Sequence, residues 1–416
     1  MIEFEQFTLN NGLKVLVHTD LSIPIATTNL LYNVGSRDED ENKTGFAHLF
    51  EHLMFGGSQS IPSFDEPLQK VGGENNAFTN PDITNYFITL PAANLETAFW
   101  LESDRMLSLS FDPNVLEVQR KVVIEEYKQN YLNQPYGDAM MRLKALAYQT
   151  HPYRWPTIGR DILHIEDATL ADVKSFFYKF YRPNNAILVV AGQVDVNEVR
   201  LLAEKWFGDI PAGETYHRIL PEEPEQSEAR IARKKADVPA HALYKAYHIP
   251  SRTHADYHAA DLLSDVLGRS RSSRLFTRLV KENPLFSSIN SYVSGSIDPG
   301  LLIVNGRLNE GVDLDTANSA VESVITDLRE DLVSGEELRK VKNQAESTLV
   351  FSEMELLNRA MNLAYSTLLG DPNLINQESE KIQAVKAEDI QRMAKRLLGP
   401  EKSNTLYYEA ENETTS

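Results

Sequence analysis

The residues best suited to chemistry lie in the stretch GFAHLFEHLMFGG, residues 45 to 57, where His48, Glu51 and His52 interrupt an apolar run. Residues four apart on a helix share a face, so both imidazoles would aim at one point. Two nitrogen ligands at that spacing are the bite a tetrahedral zinc ion takes from a single helix. Glu51, three after His48 and beside His52, lies near the edge of that face. From there it can reach a metal-bound water and take its proton without being a ligand. Leu49, Phe50, Leu53, Met54 and Phe55 predict that this helix is largely buried. Two buried imidazoles and a carboxylate without partners would cost several kcal/mol, roughly, so an ordinary helix is a poor home for them.

The order H-x-x-E-H is the inverted form of the zinc-peptidase signature. A third protein ligand is needed and should come from another element. The segment Pro113–Leu132 has helical spacing and contains VVIEEYKQ, with Glu125 and Glu126 adjacent. Only one of them can face inward. Glu125 has Lys121 at i−4 and Lys128 at i+3, the partners of a solvated face, whereas Glu126 has Val122 and Val123 behind it. Glu126 is therefore the expected third ligand.

These side chains must be positioned by a larger frame. The chain has 416 residues, 42% of them hydrophobic, enough for more than one core. Its net charge of −19 disfavours nucleic acid and anionic membrane as partners, since both require a basic footprint. It contains no cysteine, which excludes disulfides and thiolate metal sites and leaves His and carboxylates to bind any metal. MIEFEQFTLNNGLKVLVH lacks a basic region followed by an apolar one, so no signal peptide is visible and a cytoplasmic location is expected. No apolar run approaches the ~20 residues that span a bilayer.

Asn10-Asn11-Gly12 between Phe7–Leu9 and Leu13–Val17 predicts a hairpin. Thr27–Val34 and Asn85–Leu90 read as strands, Leu95–Leu109 as a helix. The run DATLADVKSFFYKFYRPNNAILVVAG reads as helix, Pro, strand. AVKAEDIQRMAKRLLGPEKSNTLYYEA repeats that order, with Asp172 and Asp389 in matching places and an offset of 389 − 172 = 217, about half the chain. This predicts an internal duplication, an α+β chain of two homologous domains, each an antiparallel-rich sheet packed with helices. The expected division is an N-terminal metal-binding domain over 1–212, a Pro- and Glu-rich linker over 213–230, and a C-terminal domain over 231–416 without the motif. The final ENETTS is expected to fray.

HLFEH, followed 126 − 52 = 74 residues later by the Glu of VVIEEYKQ, resembles the pitrilysin family of zinc peptidases. VGSRDE, GGENNAFTNPDITNYF, HPYRWPTIGR, YRPNNAILVVAG and KWFGDIP extend the resemblance over nearly the whole chain. It looks like the short, bacterial-type members, which are similar to mitochondrial processing peptidase subunits and pair into a four-domain, clam-like chamber. The resemblance implies His48, His52 and Glu126 as ligands of one zinc per chain, and Glu51 as general base. It also implies an edge strand at Asn76, Ala77 and Phe78 to which substrate adds as a further strand. Two departures qualify it. The family's second Glu, seven before the third ligand, is Gln119 here. The C-terminal Arg and Tyr that hold substrate in self-sufficient members are replaced by Val280 and Ser287, with Arg278 and Tyr292 off register. The resemblance thus implies a zinc endopeptidase acting on short or unfolded peptides, as the metal-bearing subunit of a dimer whose partner, a related chain, carries Arg and Tyr. The competing expectation is a non-catalytic zinc-binding assembly subunit, of which the family also has examples.

Overall fold

The computed structural model describes residues 1–411; the frayed tail expected from ENETTS falls, save for Glu411, outside the described residues. The chain forms two compact units. The first comprises Met1–Tyr127, Trp155–Leu220 and Val350–Gln377, the second Lys128–Arg154, Pro221–Leu349 and Glu378–Ser416.

The sheet of the first unit contains β1 (Glu5–Thr8), β2 (Lys14–Thr19), β3 (Ile25–Tyr32), β4 (Glu74–Thr79), β5 (Thr84–Pro91) and β6 (Ala186–Gly192), in the order β1-β2-β6-β3-β5-β4. The expected hairpin is present: β1 and β2 pair antiparallel, and Gly12 at φ +90° makes the turn, a conformation open to glycine. The second unit holds β7 (Arg230–Ala236), β8 (Ala242–His248), β9 (Phe286–Ser294), β10 (Leu301–Leu308) and β11 (Asn404–Ala410), in the order β7-β11-β8-β10-β9. Without β1 the two orders correspond strand for strand. The one parallel pair in each sheet, β2 with β6 and β7 with β11, falls in the same place. The duplication read from the sequence is therefore a duplication of topology.

Strand alternation puts a core on each face of the second sheet. Leu243 and Tyr247 face a cluster built with helices at Tyr257–Ser264, Leu314–Glu330 and Ala387–Leu397. Ala242, Tyr244 and Ala246 face the opposite cluster, which Ala139, Leu143 and Ala147 of the helix Ala139–Ala147 complete. In the first unit, Leu16, Leu31 and Val189 meet Leu356, Ala360 and Leu363 of the helix Leu356–Leu368. Each sheet is thus covered on one face by a helix from the other half of the sequence. The segment read as a linker has no regular structure from residue 213 to 229, and its last residue, Arg230, opens β7. Among the described residues no helix is long and apolar enough to cross a membrane.

Candidate metal centre

The motif helix runs Phe46–Leu53, inside the first unit. Its apolar positions Phe46, Leu49, Phe50 and Leu53 are buried, and Phe50 stacks on Phe176 and Tyr181 at ring distances of 4.9 and 5.1 Å. That packing fixes the helix about its own axis and turns His48, Glu51 and His52 to the other side. The imidazole centroids of His48 and His52 lie 4.8 Å apart with their planes at 73°.

The helix Pro113–Tyr127 brings Glu126 to this pair. Its Oε2 lies 3.6 Å from Nε2 of His48 and 3.6 Å from Nε2 of His52. Glu125 is exposed, as its lysine neighbours predict. Of the two valines expected behind Glu126 only Val123 is buried; Val122 is 45% exposed. Tyr127 and Leu116 supply the rest of the buried stripe. His48, His52 and Glu126 are the one group of metal-ligand type found among the described residues, each offering one ligand atom, all within 4.8 Å of one another.

This donor set fits a zinc ion. Ligand atoms about 2.0–2.1 Å from a tetrahedral centre stand roughly 3.3–3.5 Å apart, close to the two 3.6 Å separations here. Burial holds the His48 imidazole neutral, its pKa pushed down to about 4 against the opposing pull of Glu126. A neutral ring is the ligating form. The Nδ1 of His48 is buried and without a hydrogen-bond partner. Glu126 is held below its ordinary value by the neighbouring imidazoles, that of His52 foremost, against the opposing effect of burial, so it is an anion ready to ligate.

Glu51 points towards β4. Burial raises its pKa, and the nearby hydroxyl and N–H of Thr79 on β4 partly oppose that rise. A base so placed is oriented and keeps a higher proton affinity than a solvated carboxylate. β4 is the outer strand of its sheet, paired on one side only, with β5. Asn76 is exposed, Ala77 half-buried and Phe78 37% exposed. The Ala77 N–H bonds to Oδ1 of the Asn76 side chain at 2.8 Å.

The positions that depart from the resembled pattern lie elsewhere. Gln119 is half-buried on the Glu126 helix. In the second unit, Val280 packs against the core and the Ser287 hydroxyl donates to the Arg307 carbonyl at 3.2 Å. Arg278 is paired with Asp327. Tyr292 is 38% exposed on β9.

Two residues had no role assigned from the sequence. Glu39 is buried and accepts from the backbone N–H of Gly45 at 2.9 Å and of Ala47 at 2.8 Å. Trp155 lies beside it and donates its indole N–H to the Ser36 carbonyl at 2.9 Å. The only signal for either was membership of the stretches VGSRDE and HPYRWPTIGR, which carried resemblance but suggested no chemistry.

Two family profiles match the chain: "Insulinase (Peptidase family M16)" over residues 14–161 and "Peptidase M16 inactive domain" over 167–345. The chain is 30% identical over 410 residues to zinc protease PqqE of Helicobacter pylori, covering 97% of this chain and 92% of that protein. It is 26% identical over 420 residues to the probable mitochondrial-processing peptidase subunit beta of Schizosaccharomyces pombe, covering 95% of this chain and 88% of the relative. The crystal structure of a protease from Helicobacter pylori superposes with a TM-score of 0.92 at 29% identity, over 98% of this chain and all of that one.

Proposed function

The chain belongs to the insulinase, or M16, family of peptidases, and from that premise we propose that it is a zinc-dependent endopeptidase acting on short or unfolded peptides. The observation that carries the reading is the convergence of His48, His52 and Glu126, with Glu51 half-buried on the same helix. His48, His52 and Glu126 would hold one zinc ion. When bound, zinc polarises the scissile carbonyl and lowers the pKa of its water towards ~7. Glu51 would take the proton of the attacking water and deliver it to the leaving amine. The open edge of β4, at Asn76, Ala77 and Phe78, binds substrate as an added strand, so that backbone hydrogen bonds position the peptide with little regard to its sequence.

We further propose that the chain is the metal-bearing subunit of a dimer whose partner supplies an Arg and a Tyr. Val280 and Ser287 cannot provide those groups, and the Arg278 guanidinium is engaged by Asp327. The test is native mass measurement, zinc analysis and cleavage of an unstructured peptide, with and without any co-purifying chain. One zinc per chain and slow cleavage alone are expected. Full activity of the isolated chain would remove the partner, and absence of zinc would remove the reading as a whole.

A further inference from the structure

A helix leaves its first N–H groups without intrahelical partners, and a side chain at the N-cap normally takes one of them. The motif helix cannot do this locally, because its N-cap is Gly45, at φ +91°. No side chain fits there: a Cβ would come 2.5 Å from the Ile158 carbonyl oxygen and 2.7 Å from Cδ1 of Ile165. The acceptor comes instead from six residues back. Glu39 receives the Gly45 N–H on Oε2 and the Ala47 N–H on Oε1, so one carboxylate spans the first turn. Burial pushes the Glu39 pKa up to about 8, against the opposing effect of the Ala47 and Gly45 N–H bonds, so what ties it to the helix start is this pair of hydrogen bonds rather than a full charge.

The clamp has its own support. The Trp155 indole lies near Glu39 and donates its N–H to the Ser36 carbonyl at 2.9 Å. Thr44, just before the helix, accepts the Arg160 N–H at 2.8 Å and bonds His164 Nδ1 at 2.9 Å. The second unit offers a contrast. Its helix Tyr257–Ser264 begins after a loop of four residues (253–256) from Arg252, where the first unit spends eight (38–45) after Arg37. Its N-cap, Asp256, makes no side-chain cap bond. The longer loop and the buried carboxylate within it occur only where the helix carries the ligand set.

We infer that Glu39 is a positioning residue for the metal centre: by spanning the Gly45 and Ala47 N–H groups it sets the first helical turn, and with it the direction in which His48 presents Nε2 to His52 and Glu126. The inference rests on the zinc reading above for its consequence, but the clamp itself can be tested without metal. Glu39 touches neither metal nor substrate. Its loss would let the first turn fray, and His48 stands in that turn while His52 stands one turn deeper.

The test compares the full chain with Glu39→Ala, Glu39→Gln and Trp155→Phe. Zinc affinity is read by competition with a chelator, and amide hydrogen exchange of the 44–53 segment is followed by mass spectrometry in metal-free protein. Outer partners of ligands typically matter about 10- to 100-fold, and Glu39→Ala is expected to weaken zinc by that factor. Glu39→Gln keeps one acceptor, and Trp155→Phe removes only the outer support; each should lose roughly 3- to 10-fold. In all three, exchange should rise in 44–53 well above the rise elsewhere. Zinc affinity of Glu39→Ala within twofold of the parent, with folding intact, would overturn the inference. If Glu39→Ala does not fold, Glu39→Gln and Trp155→Phe decide, and parental affinity in both would overturn it equally. If the parent chain itself binds no zinc, the functional reading falls, and unchanged exchange in 44–53 would independently remove the clamp.

Discussion

After β3 in the first unit and after β8 in the second, the chain makes the same move. Ser36-Arg37 and Ser251-Arg252 follow the strands, and the N–H groups of Arg37 and Arg252 donate to the carbonyls of Pro81 and Ser296, each at 3.0 Å. Each arginine then meets an acid: Arg37 meets Asp82 at 3.1 Å, and Arg252 meets Glu378 at 2.6 Å. The eight-residue helices that follow diverge. The third, sixth and seventh positions of Phe46–Leu53 are His48, Glu51 and His52, half-buried and turned towards Glu126 and Thr79. Those of Tyr257–Ser264 are Ala259, Leu262 and Leu263, no more than 4% exposed and part of the core. One copy of the fold spends a helix face on packing, and the other leaves that face open to chemistry. Duplicated topology therefore says nothing of duplicated activity; the side chains on one helix decide it.

The sharpest way to break this contrast is at the base. Glu51→Gln should lower peptide turnover by about 100-fold or more while zinc content, measured by elemental analysis, stays at the parent level. Turnover that survived would deny Glu51 its role. Next comes the choice between neighbours. Glu126→Ala should strip zinc under dialysis conditions that leave Glu125→Ala fully loaded; equal loss in both would mean that the exposed acid ligates after all.

A third experiment asks whether the second helix can be converted. Ala259→His with Leu263→His copies the imidazole spacing into the second unit, but the site is core. Overpacking and buried polar atoms should cost about 2–5 kcal/mol in urea unfolding, with no second equivalent of zinc bound. A second equivalent would show that packing was not what closed that face.

The smallest effect concerns the arginine partners. Glu378 receives Arg252 and His258 and is held down to about 2, the His258 hydrogen bond and the Arg252 charge outweighing burial. A depressed carboxyl contributes stability above its unfolded value, near 4.5, and that contribution fades as pH falls towards 2. Glu378→Gln should therefore destabilise by about 1–3 kcal/mol at pH 7 and by progressively less below about pH 4.5. A penalty independent of pH would mean that shape, not charge, is what Glu378 supplies.

Much of the centre was legible in the chain itself. The four-residue spacing of His48 and His52, the turn at Asn10–Gly12 and the repeated helix–Pro–strand order are local patterns, and local backbone geometry alone converts them into faces and turns. The preference for Glu126 over Glu125 was also a matter of one helix, though Val122 contributes no burial to it. Illegible were the facts that join distant segments. The helix Leu356–Leu368 covers the first sheet and Ala139–Ala147 the second, an exchange that no linear division of the chain anticipates.

What the sequence by itself determined is a helix with two imidazoles on one face and two halves built to one plan, because helical and strand periods are properties of neighbouring residues. What only the tertiary structure decided is where each carboxylate sits. Glu126 comes within 3.6 Å of both rings, Glu51 turns to Thr79, and Glu39 reaches forward to the helix start. Those choices depend on packing between segments tens of residues apart, where a charge can be buried only if donors from elsewhere in the chain are already in place.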